Sequence, residues 1–287
     1  MQLDIECRDC LFNSQLKKVE REQKDGAKLA IFKNRVREIC DTVPDGYCAP
    51  LLMRDIDRCH NEIFGCGIDY SREKSLFNKL LLNMEQVLYA RIISSADPIE
   101  KGLKFALTAN YIDFARLSNL TEDSVKTVIK ASESALIDKA TLAKFNDKLK
   151  TAKTLCCLHD NCGEIVLDKI LIRVIKNLYP QISVTSVVRG SAIINDVTLF
   201  DAEEVGLSEF AHVIGNGTGI PGTYVKEVTP EVIKLLIESD VVISKGLGNL
   251  ETLYGEGYHA FYAFNCKCGH IAERFGLKLW SAGFIYE

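Results

Sequence analysis

The sequence predicts an α/β protein, with an all-α region over residues 1–150 and a largely parallel sheet, helices on both faces, over 151–287. Three observations predict it. Up to about residue 150 there is little β signal and almost no glycine-rich turn chemistry, while apolar residues recur at helical spacing. Beyond Lys153, short apolar runs alternate with helical patterns. The strand candidates there end in polar turns, and in an open parallel sheet such turns gather at one edge, where ligands bind.

Each element follows from local pattern. Leu16, Val19, Leu29, Phe32 and Val36 recur at helical intervals between Asn13 and Ile39, and Asp45–Gly46 marks a turn. Leu51–Phe64 and Lys74–Ile93 read as amphipathic helices. Asp97–Pro98 opens another that reaches Phe114, with proline suited to the first turn. Thr121–Asp123 begins a further helix, and Ser132–Lys150 is helical and highly charged. In the second half, Leu155–Leu158 is short and bounded in the way of a buried strand, and from Glu164 to Ile175 the apolar spacing turns helical. Ser183–Arg189, Phe210–Ile214, Asp240–Ser244, His259–Phe264 and Leu277–Trp280 are the other strand candidates. Helices fall between them at Thr198–Val205, Thr229–Glu238 and His270–Phe275, with Thr229 as an N-cap and Pro230 just inside.

Composition narrows the classes. The 287 residues suffice for two domains or one large one, and 47% apolar with 26% charged residues is ordinary for a globular chain. A net charge of −4 and a pI near 5.8 leave no electrostatic footprint for a nucleic-acid partner. No apolar run is long enough to cross a bilayer and no basic-then-apolar leader opens the sequence, so a cytoplasmic protein with no membrane partner is expected. Its eleven cysteines are then reduced, with Cys156 and Cys157 as small core residues. A structural metal on Cys7 and Cys10, completed by Cys266 and Cys268, is the second reading of those pairs. The oligomeric state leaves no mark.

Four strand ends carry polar turns: Asp160–Asn161, Arg189 to Asp196, Gly215–Gly219 and Lys245–Asn249. On its own stretch Asp160 has two readings, a hard oxygen ligand for Mg²⁺ or Mn²⁺ beside Asn161, or the N-cap of the next helix. The joint placement of the four turns favours a site. Asp160, Asn161 and Asp196 supply oxygen ligands, Lys245 holds a phosphate oxygen as a point charge, and glycine-lined amides bind others. Periodicity alone reads Asn110 and Asp113 as solvated or capping residues.

DNCGE (160–164), Arg189 with Asn195–Asp196–Val197–Thr198, and KGLGNLE (245–251) resemble three signature motifs of one family. That family was once called domain of unknown function 89, and its members are described as metal-dependent damage-control phosphatases. The resemblance extends to SADP and LTANYID within 95–113 and to Cys7–Arg8–Asp9–Cys10, so it spans nearly the whole chain. Length and the N-terminal CxxC match the compact microbial branch.

The resemblance implies a Rossmann-like core with the helical domain packed over the site. It implies a divalent ion (Mn²⁺, Mg²⁺, Co²⁺ or Ni²⁺) on Asp160, Asn161 and Asp196, with Lys245 on the substrate phosphate. Asn110 and Asp113 become the helical domain's contribution to the substrate pocket. Glu164, Arg189, Asn195, Thr198 and Asn249 become motif positions that contact substrate, orient a ligand or cap a helix. The expected activity is hydrolysis of a phosphomonoester on a small metabolite, a sugar phosphate or a damaged phosphometabolite, with Asp160, Asp196 and Lys245 as the catalytic groups. The nucleophile is either a water or a carboxylate that forms a phospho-aspartyl intermediate. Two other readings stand behind it: a non-catalytic protein that binds a phosphometabolite, and a protein carboxyl methyltransferase. The last has no need of an Asp–Asn–Asp set.

Overall fold

The computed structural model describes residues 1–65, 67–108 and 122–287. Asn110 and Asp113 therefore lie outside the described residues.

Three helices, α1 (Ile5–Glu22), α2 (Gly26–Asp41) and α3 (Ala49–Phe64), open the chain. Asp4 starts α1 by accepting from the Cys7 amide at 2.7 Å, and Asp25 starts α2 by accepting from Ala27 at 3.0 Å. Their apolar faces close on Phe12, Val19, Phe32, Val36, Leu52 and Ile56. Five more helices follow: α4 (Ser71–Leu82), α5 (Glu85–Ile93), α6 (Pro98–Thr108), α7 (Glu122–Ser134) and α8 (Lys139–Thr151). The periodic stretch Lys74–Ile93 is thus two helices, because the Met84 amide turns back to Leu81 and breaks the regular ladder. Ser132–Lys150 also divides, since Asp138 caps a new helix by accepting from Thr141 at 2.7 Å.

The sheet has six strands: β1 (Thr154–Leu158), β2 (Ser183–Val188), β3 (His212–Gly215), β4 (Val241–Lys245), β5 (Phe261–Asn265) and β6 (Ala282–Tyr286). Their order is β3-β2-β1-β4-β5-β6; all neighbours are parallel except the last pair. Between them run α9 (Glu164–Leu178), α10 (Leu199–Glu204), α11 (Pro230–Glu238), α12 (Gly246–Leu253) and α13 (Gly269–Phe275). This is the doubly wound order, with its switch point between β1 and β4.

Alternation along the strands feeds two cores. Leu155 and Cys157 of β1, with Val241 and Ile243 of β4, face a core shared with α5, α6, α8 and α9. Cys156, Leu158 and Val242 face the opposite core, with Val232 and Leu236 of α11 and Leu253 of α12. Helices of the first half therefore pack directly on the sheet.

Two expectations are corrected. Leu277–Trp280 is not a strand: Trp280 sits at φ 63 with its amide donated to the Cys266 carbonyl, a turn that delivers the chain into β6. Its signal was obscured because β6 is an edge strand with only Gly283 and Phe284 fully buried. Lys245–Asn249 is not a loose turn either, since β4 passes into α12 at Gly246, whose φ of +81 makes the bend. Among the described residues no helix is long and apolar enough to cross a membrane.

Candidate active site

The chain leaves β1 through His159, Asp160, Asn161 and Cys162, and Gly163 (φ 82) is the N-cap of α9. Asp160 is therefore not that cap, and its carboxylate meets Asn161 and Arg189 instead. Backbone bonds lace this turn to the segment after β2. Cys162 donates to the Asn195 carbonyl at 3.0 Å and Val197 to the Asp160 carbonyl at 2.9 Å, which sets Asn161 opposite Asp196 in a one-residue antiparallel bridge. The bridge brings Asp160, Asn161 and Asp196 together although the last is far along the chain.

From β4 comes Lys245, and then Gly246. A Cβ at position 246 would lie 2.0 Å from Asp160 Oδ2, so only glycine lets the β4 turn pass against that carboxylate. Asn249 ties three strand ends together. Its Nδ2 donates to the carbonyls of His159 (3.0 Å) and Lys245 (2.7 Å), while its Oδ1 accepts from Thr223 and from Arg189 Nη1.

Arg189, at the end of β2, is 1% exposed. Its Nε donates to Asp196 Oδ2 at 2.7 Å, and its Nη2 lies 3.6 Å from Asp160 Oδ1, beyond a hydrogen bond. That Nη2 has no hydrogen-bond partner. A buried donor left in this way is costly unless a ligand meets it. Lys245 is 2% exposed; its Nζ donates to Asp168 Oδ1 (2.6 Å) and the Ala106 carbonyl (2.7 Å), with Glu164 Oε2 at 3.9 Å. Asn161 Nδ2 donates to Asp160 and to Glu164. From the helical half, Asn78 of α4 also accepts from the Gly163 amide at 2.7 Å.

The electrostatics show a shortage of positive charge. Burial holds the Asp160 carboxyl above its usual range, and raises Glu164 to about 8 and Asp196 to about 7, although Arg189 and Lys245 pull the other way. Asp168 is the exception: burial would raise it, but Lys245 and His159 outweigh that and hold it low. Four carboxyl groups thus meet Arg189 and Lys245, with His159 behind Asp168; burial would lower that imidazole, but Cys157 and Asp168 raise it to about 9. A divalent cation at Asp160, Asn161 and Asp196 would relieve the excess, and the donors are hard oxygens suited to Mg²⁺ or Mn²⁺. The amide of Asn161 is needed, since among the described residues no three of Asp, Glu, His and Cys are placed to hold an ion by themselves.

Other expected residues are placed as follows. Asn195 contributes its backbone carbonyl to the lacing. Thr198 is the N-cap of α10 in a reciprocal capping box, its hydroxyl and amide both donating to Asp201. The Gly215–Gly222 stretch is fastened to the site from outside: the buried Asn216 accepts from the Gly190 and Thr218 amides at 2.9 Å, and Gly190 packs backbone to backbone on Gly217. A cavity of about 430 Å³ opens beside this loop, lined among others by Arg54, Arg58, Ser191, Ile193 and Thr218. Cys7 and Cys268 line a small cavity with His270, and Cys10 is exposed.

Sequence reasoning missed Asp168, His159, Asn78 and Asn216. A signal existed for the first. Glu164–Ile172 is buried on all sides, so the Asp168–Lys169 pair within it had to find partners. Lys169 finds Glu85 at 2.7 Å; Asp168 finds Lys245.

A doubly wound sheet whose switch point buries carboxylates beside an arginine and a lysine defines the class: an α/β protein with a charged, buried site at the carboxyl edge of its sheet. Residues 3–281 match the model of the damage-control phosphatase ARMT1-like domain, and the chain belongs to that family. It is similar to an uncharacterized protein of Methanocaldococcus jannaschii, 29% identical over 91% of this chain and 85% of the relative. A protein of Pyrococcus horikoshii named damage-control phosphatase is 32% identical over 61% of this chain and 60% of its own length. A damage-control phosphatase of Archaeoglobus fulgidus is 27% identical over 79% of each. The fold is that of the crystal structure of a DUF89 family protein from P. horikoshii, with a TM-score of 0.86 over 100% of this chain and 99% of that one, at 24% identity.

Proposed function

We propose that this protein is a phosphatase that hydrolyses phosphomonoesters of small metabolites, sugar phosphates or damaged phosphometabolites, with a divalent ion held by Asp160, Asn161 and Asp196. The observation that carries the reading is the buried Arg189 Nη2, unpartnered and 3.6 Å from Asp160 beside the carboxylate cluster. A phosphoryl oxygen is the acceptor that such a donor lacks. The names of the Pyrococcus and Archaeoglobus relatives support the reading.

When bound, the ion neutralises charge on the phosphoryl group and helps fix it for displacement. The chain's own groups do the rest. Arg189 is held at Nε by Asp196 and at Nη1 by Asn249, which leaves Nη2 directed at the site. Lys245 supplies the second fixed positive charge. Because both cations are in place before the reaction, charge that spreads over the transferring phosphoryl oxygens is stabilised without reorganisation. The cavity beside Ser191 and Thr218 is of a size for the organic part of a small metabolite.

Phosphate release from p-nitrophenyl phosphate and a panel of sugar phosphates tests this, with Mg²⁺, Mn²⁺, Co²⁺ or Ni²⁺, a chelator control, and Asp196→Ala. Metal-dependent release that falls at least about 100-fold in the variant is expected. Release that survives the chelator and the substitution overturns the metal assignment. Binding of a sugar phosphate with no release under any ion would move the protein to the sensor reading. The cysteine pairs are tested separately, by metal content of protein with Cys7 and Cys10 replaced by serine.

A further inference from the structure

Lys245 cannot point itself. Its ammonium has three N–H groups, of which one goes to Asp168 Oδ1 (2.6 Å) and one to the Ala106 carbonyl (2.7 Å). The third is left on the side of Glu164, whose Oε2, at 3.9 Å, is beyond a hydrogen bond. Which way that third N–H points is set by the two acceptors. One is a backbone atom in α6. The other is a side chain that is itself held from behind: Asp168 Oδ2 lies 3.0 Å from His159 Nδ1, and His159 Nε2 lies 3.0 Å from the Ser186 hydroxyl of β2. Asp168, His159 and Ser186 are at most 1% exposed, and Asp168 sits one helical turn beyond Glu164 on α9.

We propose that Asp168, backed by His159 and Ser186, is a positioning residue that fixes the Lys245 ammonium so that its remaining N–H faces the substrate phosphoryl group. The proposal rests on the phosphatase reading for its kinetic consequence, though not for its geometry. It differs from simple neutralisation of a buried lysine, because an unpaired charge needs only a carboxylate nearby. A fixed direction needs an acceptor at this place, supported by a second row.

The test uses the full chain and two readouts. In wild type, the Nζ of Lys245 is expected to give a resolved, slowly exchanging ammonium signal in ¹⁵N-lysine NMR, assigned by its absence from Lys245→Met. In Asp168→Ala that signal should shift or broaden away, with kcat down about 100-fold, the scale of a displacement near 1 Å, and KM changed by less than about threefold. Asp168→Asn keeps an acceptor oxygen in the same place and should recover about tenfold of the lost kcat. The proposal is overturned by a folded Asp168→Ala protein with kcat within about threefold of wild type, or by an asparagine variant no better than the alanine one. If Asp168→Ala does not fold, Ser186→Ala decides. An unchanged ammonium signal and unchanged kcat in that variant overturn the proposal, and a shifted signal with a several-fold loss upholds it. Should wild type release no phosphate while the ammonium signal still answers to positions 168 and 186, the phosphatase reading fails and the positioning stands.

Discussion

At the scale of one residue, the site is decided by how closely two turns approach. Gly246 lets the end of β4 pass the Asp160 carboxylate, where a methyl group would stand 2.0 Å from Oδ2, and its φ of +81 is a conformation that costs a side-chain-bearing residue roughly 1–2 kcal/mol. Gly246→Ala should therefore lower Tm and, by displacing Asp160, cut phosphate release far more than the stability loss explains; a variant with wild-type release would separate Asp160 from the chemistry. What was legible at this scale was polarity out of place. Asp160, Asp196 and Lys245 stood out as polar residues at strand ends, and the fold brings those strand ends to one edge of the sheet. Arg189 was readable as a motif position, but its unpaired Nη2 belongs to three dimensions alone. Thr198 shows the reverse, since its hydroxyl is engaged in a capping box that sequence reading could also have named.

At the scale of elements, buried ionic pins and short backbone ties hold the sheet's carboxyl edge in register. Lys169 of α9 reaches Glu85 of α5 at 2.7 Å and the Val205 carbonyl at 2.6 Å, in a core where both side chains are at least nine-tenths buried. Lys169→Met would strand the Glu85 carboxylate at a cost of about 3–5 kcal/mol, a fall in Tm of roughly 10 °C. The double variant Lys169→Met/Glu85→Leu should recover most of it; if it does not, the pair is more than a pin. At the opposite edge of the sheet, Asp240 accepts from the amides of Lys153 and Thr154 and joins the starts of β1 and β4. Those amide bonds hold its carboxyl below the usual 3.8. A depressed carboxylate stabilises above its unfolded value and loses that contribution as pH falls. Asp240→Asn should thus lower Tm at pH 7, with a penalty that shrinks as the pH drops below 3.8. A penalty independent of pH would assign it to shape rather than charge. Element type was legible almost throughout, because buried strands and amphipathic helices keep their periods. Breaks such as that after Leu82 were not, since apolar spacing continues across them and only the backbone shows the interruption.

At the scale of the molecule, the strand order was the least legible feature. Alternating strands and helices predict a parallel sheet, but nothing in the local pattern says that β4 returns beside β1, or that β6 runs antiparallel to β5. The switch point follows from that order, and so does the meeting of Asp160 with Lys245 and Asn249. The first half joins in as well, through the Ala106 carbonyl on Lys245 and Asn78 on the Gly163 amide. Heat inactivation and loss of near-ultraviolet circular dichroism should consequently trace one coincident transition, and activity lost well below that transition would mean the helical half can leave on its own.

The bond between Ala106 and Lys245 joins groups 139 residues apart. On a ribosome, where the chain emerges from its first residue onward, the helical half is finished long before β4 appears. A nascent chain that stops short of Lys245 thus has its acceptor waiting and no lysine to meet it, so this tie between the two halves closes only once β4 has been made.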